Sequence, residues 1–209
     1  MTTPLPADAE TLFARLRDSL KDALGASCNG QAQEGPDALA GVDPTMPVGE
    51  SAAGSGAEAA QAGSAEAPAF IGIHTGGAWL AARLHAELGL SSPLGFLSSA
   101  FYRDDVQARG LSMRMQPTRI DFDVNGRDIV LVDDILHTGR TIRAALNEIF
   151  DYGRPARVRL AVLIDRGERE LPVQPDHVGT RLVLQPGEKL ALSQRTNGMF
   201  ELRVETVQA

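Results

Sequence analysis

Cysteine is almost missing from this chain of 209 residues: Cys28 stands alone and cannot close an internal disulfide, which excludes a disulfide-stapled scaffold. No apolar run approaches the roughly 18 residues that a membrane-spanning helix needs. No basic head followed by an apolar stretch opens the sequence either. Surplus positive charge is lacking too. With 20 Lys and Arg against 27 Asp and Glu the net charge is −7, which argues against a general nucleic-acid binder, whose nonspecific affinity comes largely from neutralising phosphates. Neither of two familiar phosphate-binding spacings occurs, the Gly, four residues, Gly, Lys, Ser/Thr loop or the Gly-x-Gly-x-x-Gly fingerprint. Together these absences predict a protein of the reducing cytoplasm with no membrane partner.

What is present suffices for one ordinary domain, since 43% of the residues are hydrophobic. Residues 7–24 place Leu12, Phe13, Leu16, Leu20 and Leu24 at helical spacing, and Gly25 is expected to end that helix. Residues 25–67 are Ala, Gly, Ser, Glu and Pro with almost no large apolar side chain, a composition that cannot offset the entropy of ordering, so a disordered low-complexity insertion is predicted. The main domain then occupies 68–209. Ala69–Ile73 reads as a strand, Trp79–Leu88 as a helix and Leu94–Tyr102 as a second strand. Asn125 and Gly126 read as a hairpin turn joining strands at Arg119–Val124 and Asp128–Val132. The helix Thr141–Asp151 directs Ile142, Leu146, Ile149 and Phe150 toward a sheet, and Val158–Ile164 is a further buried strand. Strands are expected at Leu182–Leu184, Leu190–Ser193 and Phe200–Val204, as a small hood or a sheet edge. Strands alternating with helices predict an α/β fold with a central parallel sheet flanked by helices, its chemistry at the carboxyl edge.

The most informative segment is Val132, Asp133, Asp134, Ile135, Leu136, His137, Thr138, Gly139, Arg140 and Thr141. A doubly buried strand ends in two acids, and a Thr/Gly turn then opens a helix. Unpaired backbone N–H groups and the positive end of a helix dipole suit an anion. Paired carboxylates suit two vicinal hydroxyls, so the layout is that of a site for a phosphorylated sugar.

This segment resembles the phosphoribosyl pyrophosphate (PRPP) motif of the type I phosphoribosyltransferase family, and its Thr, Gly, Arg, Thr version resembles the pyrimidine operon attenuation regulator branch. Further matches are Tyr102 to Asp105, Asp151 to Pro155, Leu163 to Gly167 and Arg169 to Pro172. The resemblance implies that the chain transfers a phosphoribosyl group from PRPP to uracil, giving UMP and pyrophosphate with Mg²⁺ as cofactor, and that it regulates pyrimidine biosynthesis genes through their mRNA leader. A non-catalytic sensor of UMP or PRPP that binds RNA is the alternative. A purine enzyme is disfavoured, because purine-using relatives carry an acid at the position of His137. A homo-oligomer, dimer or higher, is implied as well.

The resemblance assigns Asp133 and Asp134 to the ribose hydroxyls, and residues 138–141 to the 5′-phosphate. His137 is either a proton acceptor near uracil N1 or a filler of similar shape to the aromatic residue usual there. Thr75, Gly76 and Gly77 correspond to the pyrophosphate loop. The family carries Arg at the position of Gly76, so Arg103, on the segment resembling a flexible catalytic loop, is the expected substitute, with Mg²⁺ otherwise carrying that charge without a dedicated protein cage. On this view Gly76→Arg should improve turnover. Asp165 and Arg166 are expected at the base, and Arg169 is a candidate for RNA contact.

Overall fold

The computed structural model describes residues 3–28, 67–98 and 116–206. The expected insertion falls almost wholly outside these, as do Arg103 and its neighbours. Among the described residues, helix α1 (Ala9–Cys28) precedes β1 (Ala69–Ile73), α2 (Gly76–Glu87), β2 (Leu94–Leu97), β3 (Asp128–Leu136), α3 (Arg140–Tyr152), β4 (Arg157–Asp165) and β5 (His177–Arg181). Strands β6 (Glu188–Gln194) and β7 (Phe200–Thr206) follow. The main sheet is parallel throughout, in the order β2-β1-β3-β4-β5, and β6 and β7 form a separate antiparallel pair.

Alternation along each central strand sorts side chains to two cores. Phe70, Val130, Val132, Ala161 and Leu163 face α1, α2 and the β6–β7 hairpin. Ile71, Ile129, Leu131, Leu160 and Val162 face the side packed by α3 and by Ile120 and Val124. The chain leaves β1 for the β2 edge and returns to β3 on the other side. Connections therefore part between β1 and β3, and a crevice opens at the carboxyl ends of those two strands.

Several elements depart from the sequence-based expectations. Helix α1 runs through Gly25 to Cys28, because an isolated glycine costs a helix only about 1 kcal/mol and Ala26 follows it. The Asn125–Gly126 turn exists, with Gly126 at φ 66°, but it joins no hairpin. Both edges of β3 are occupied by parallel β1 and β4, so residues 119–124 have no free edge on that strand, and Arg119 makes only a single antiparallel bridge with Phe96. Phe150 is 45% exposed rather than core-facing. No strand forms at Leu182–Leu184. The fifth strand lies at His177–Arg181 instead, where α1 crosses so closely that a Cβ on Gly179 would lie 2.8 Å from the Leu12 carbonyl oxygen.

That crossing buries a titratable group. His177 Nδ1 lies 3.0 Å from Ser19 Oγ on α1, and burial, aided by the Arg159 charge, holds its pKa below the ordinary histidine value. The unfolded chain therefore binds more protons near pH 6, so this group's contribution to stability is present above about pH 6.5 and is lost as pH falls toward the folded-state pKa. His74 shifts the same way through burial. Melting temperature should decline between about pH 6.5 and 5, and His177→Gln should flatten part of that slope. A slope identical to wild type in that variant would show that the contact is not the source.

Arg83 ties the hairpin to the body. Its guanidinium lies 4.4 Å from the Phe13 ring centroid and 5.1 Å from that of Phe200, and it pairs with Glu10 at 2.7 Å and Glu87 at 2.8 Å. Glu10 in turn accepts a hydrogen bond from Phe200 N at 2.6 Å. The hairpin tip thereby stands beside the β1–α2 turn, across a cavity of about 710 Å³ that reaches His74, Thr75, Trp79, Phe96 and Asn197.

Candidate active site

Three strand ends build the site. β3 does not stop at Val132 but continues through the acids to Leu136, pairing Asp133 with Val162 and Leu136 with Asp165. This extension fixes both carboxylates by backbone pairing. Asp133 is 2% exposed, and its Oδ1 accepts from Asp134 N at 3.0 Å. Asp134 is half-buried, and its Oδ1 accepts from Ile135 N at 3.0 Å.

The β1–α2 turn lies directly on this pair. A Cβ on Gly76 would sit 2.2 Å from Asp134 Oδ2 and 2.6 Å from its Cγ, and one on Gly77 would sit 2.4 Å from the Val132 carbonyl oxygen and 2.9 Å from Asp133 Cα. Two segments far apart in sequence thus meet, and glycine is required in both places by close approach. This geometry argues against the gain expected of Gly76→Arg, since the space an added side chain would start from is filled by Asp134. His74 is no ready substitute cation, because burial favours its neutral form.

The turn from β3 into α3 has Gly139 at φ 92° as the N-cap, with no side-chain cap. Its neighbours stand back at 3.4 Å, so the glycine serves the left-handed backbone rather than a lack of space. The first-turn N–H groups that follow are the orphan donors an anion can use. Arg140 points elsewhere: its Nε donates to Glu170 Oε2 at 2.7 Å, with its terminal nitrogen 2.6 Å from the same oxygen.

The loop after β4 clasps this turn. Arg166 N donates to the Leu136 carbonyl at 2.8 Å, and Glu170 N and Leu171 N both donate to the Thr138 carbonyl, at 3.0 and 3.1 Å. Arg169, the candidate for RNA contact, is turned inward with its side chain 15% exposed. It donates to the carbonyls of His137 at 2.7 Å, Gly167 at 3.0 Å and Val173 at 3.0 Å, and to Asp165 Oδ1 at 2.6 Å. Asp165 also accepts from Gly167 N at 2.9 Å, so it shapes the loop. Arg166 Nε is buried without a partner among the described residues.

The structure therefore brings together residues 75–77, 132–141 and 165–166, while Arg103 lies outside the described residues. Sequence reasoning gave no role to Glu168 or Glu170, which hold His137 and Arg140 from the loop after β4. Their only signal was the alternation of charge from Arg166 to Glu170.

Comparison with known proteins identifies the family and the fold. The model of the phosphoribosyl transferase domain family matches residues 54–184. The Bifunctional protein PyrR of Nitrosococcus oceani is 56% identical over 128 residues, 60% of this chain and 72% of its own length. The protein of that name from Pseudomonas fluorescens is 48% identical over 161 residues, 77% of this chain and 95% of its own. Among solved structures, a hypoxanthine-guanine phosphoribosyltransferase from Bacillus anthracis, with a HEPES molecule in its active site, superposes with a TM-score of 0.56 at 15% identity, covering 91% of this chain and 88% of that one. At that identity the likeness speaks for the fold alone.

Proposed function

The chain belongs to the phosphoribosyl transferase domain family, and on that premise we propose that it transfers the phosphoribosyl group of PRPP to uracil, forming UMP and pyrophosphate. The observation that carries this reading is the contact of Gly76 with Asp134, which joins a turn suited to pyrophosphate with acids suited to ribose on one edge of the sheet. Uracil N1 bonds to C1′ as the C1′–oxygen bond to pyrophosphate breaks. The bonding pair leaves with pyrophosphate, and the N1 proton must be accepted nearby. As that bond lengthens the ribose gains oxocarbenium character, and Asp133 and Asp134 are fixed carboxylates that stabilise the developing positive charge. First-turn N–H groups of α3 with Thr138 and Thr141 anchor the 5′-phosphate.

Asp133 and Asp134 offer hard oxygen donors beside the turn, a set that fits Mg²⁺ carried in on the phosphate oxygens and ribose hydroxyls of PRPP. Held beside these two carboxylates, the ion would supply positive charge for the leaving pyrophosphate. The relatives' name, Bifunctional protein PyrR, together with the resemblance of residues 138–141 to the attenuation-regulator branch, supports a second role in regulating pyrimidine genes through RNA. Arg169 is committed to loop carbonyls, so such an RNA surface would rest on other residues.

Steady-state UMP formation from uracil, PRPP and Mg²⁺ tests the enzyme reading directly. Ligand binding has its own readout: PRPP with Mg²⁺, or UMP, at a hundred times its Kd should stabilise by about 2.7 kcal/mol, or roughly 5–10 °C for a chain of this size. Thr141→Val should shrink that shift. A melting curve that neither ligand moves at millimolar concentration would reject the site, whereas a shift without UMP formation would favour a sensor.

A further inference from the structure

One side-chain pair joins the two loops at the β3 and β4 ends of the site. Glu168 Oε2 lies 2.9 Å from His137 Nε2, and His137 is the residue at which β3 gives way to the α3 turn. Glu168 has a φ of 52°, a left-handed conformation rare for a residue with a side chain. The loop keeps it there. Gly167 beside it is also left-handed, at φ 74°, and Asp165 and Arg169 hold Gly167 from both sides through its N–H and its carbonyl. Arg169 also holds the His137 carbonyl. One clamp thus fixes the backbone of both partners. Arg140 and Glu170 form a separate ion pair beside it, at 2.6 Å.

Chemistry then dictates the tautomer. An ionised carboxylate only accepts hydrogen bonds, so a neutral His137 imidazole must carry its proton on Nε2, which leaves the Nδ1 lone pair as an acceptor. We propose that His137 is the proton acceptor for the incoming pyrimidine nitrogen and that Glu168 is the residue that positions it, fixing the Nε2–H tautomer and stabilising the imidazolium that forms. The inference rests on the UMP-forming reading above and supplies the acceptor it lacks. The N1–H proton passes to Nδ1 while N1 bonds to C1′ and the electron pair of the C1′–oxygen bond departs with pyrophosphate. The imidazolium then donates from Nε2 to Glu168. A shape-filling imidazole would need no carboxylate partner held in a left-handed loop.

The test compares wild type, His137→Phe and Glu168→Gln, with uracil and with the more acidic 5-fluorouracil. With uracil, His137→Phe should lower kcat about a hundredfold and Glu168→Gln about tenfold, with KM for PRPP little changed. The deficit of His137→Phe should shrink with 5-fluorouracil, whose nitrogen needs less help to lose its proton. Nitrogen-15 spectra of the ligand-free protein should show the Nε2–H tautomer in wild type and loss of that preference in Glu168→Gln. A folded, PRPP-binding His137→Phe with unchanged kcat, or with the same deficit for both bases, overturns the proposal. Should wild type form no UMP at all, the parent reading fails. The spectra then decide the positioning role alone, Nε2–H supporting it and Nδ1–H overturning it.

Discussion

Asp134→Asn is expected to lower kcat for UMP formation by about a hundredfold while leaving the fold intact. The two halves of this expectation have separate causes. Asparagine keeps an oxygen that can accept from Ile135 N, the bond Asp134 Oδ1 makes at 3.0 Å, and the flanking residues Asp133 and Ile135 stay paired with β4, so melting temperature should barely move. Charge is what the substitution removes. A charge-assisted interaction is worth about 1.5–3 kcal/mol, which corresponds to roughly ten- to a hundredfold in rate, and the upper part of that range fits a half-buried carboxylate facing a cation that exists only in the transition state. Such an interaction acts on kcat and kcat/KM alike and leaves KM nearly constant. A variant within threefold of wild-type kcat would remove Asp134 from the chemistry. A rise in KM alone would recast it as a ribose-binding group without transition-state preference.

The acids at the end of β3 were legible because a run of four apolar β-formers before them forces a strand buried on both faces, and a Thr/Gly turn after them forces a helix start. The sheet and two of its crossover helices followed from the same periodicities. β5 escaped because His177–Arg181 is an edge strand with no apolar run, and its place is set by α1 passing over Gly179, a contact between residues far apart in sequence. The supposed hairpin at Asn125 failed for a related reason: turn chemistry predicts a reversal but not which edges remain open for pairing. Within the site, residue types were readable and side-chain partners were not. Arg169 looks like a solvated cation in the sequence, yet carbonyls from Leu136 to Val173 converge on it only once β3 and β4 lie side by side. The same adjacency unites His137 with Glu168 and Arg140 with Glu170. No period in the chain encodes such pairings.

Packing of the two glycines against β3 predicts that neighbouring substitutions fail in different ways. A methyl group at Gly76 meets the Asp134 side chain along its length, with Oδ2 at 2.2 Å, Cγ at 2.6 Å and Cβ at 2.8 Å; turning the carboxylate aside relieves the first two contacts, and the third needs a small shift of the turn. Gly76→Ala should therefore fold with a smaller loss of stability than a methyl group at Gly77 would cause, but lose roughly ten- to a hundredfold in turnover, because a reacting geometry displaced by about 1 Å can cost that much. Gly76→Arg begins from the same blocked position, so the added cation should not restore a pyrophosphate contact and turnover should fall at least as far. At Gly77 the obstacle is backbone, the Val132 carbonyl oxygen at 2.4 Å and Asp133 Cα at 2.9 Å, and the first turn of α2 would have to lift away from β3 to admit a methyl group. Gly77→Ala should thus lower stability by about 1–3 kcal/mol, the usual cost of overpacking, or roughly 2–12 °C in melting temperature. Melting curves and UMP formation measured together on the three variants separate these effects. A Gly76→Arg protein with improved PRPP affinity would mean that Asp134 yields without consequence, and the close contact at the carboxyl edge would then not be what aligns the acids with the substrate.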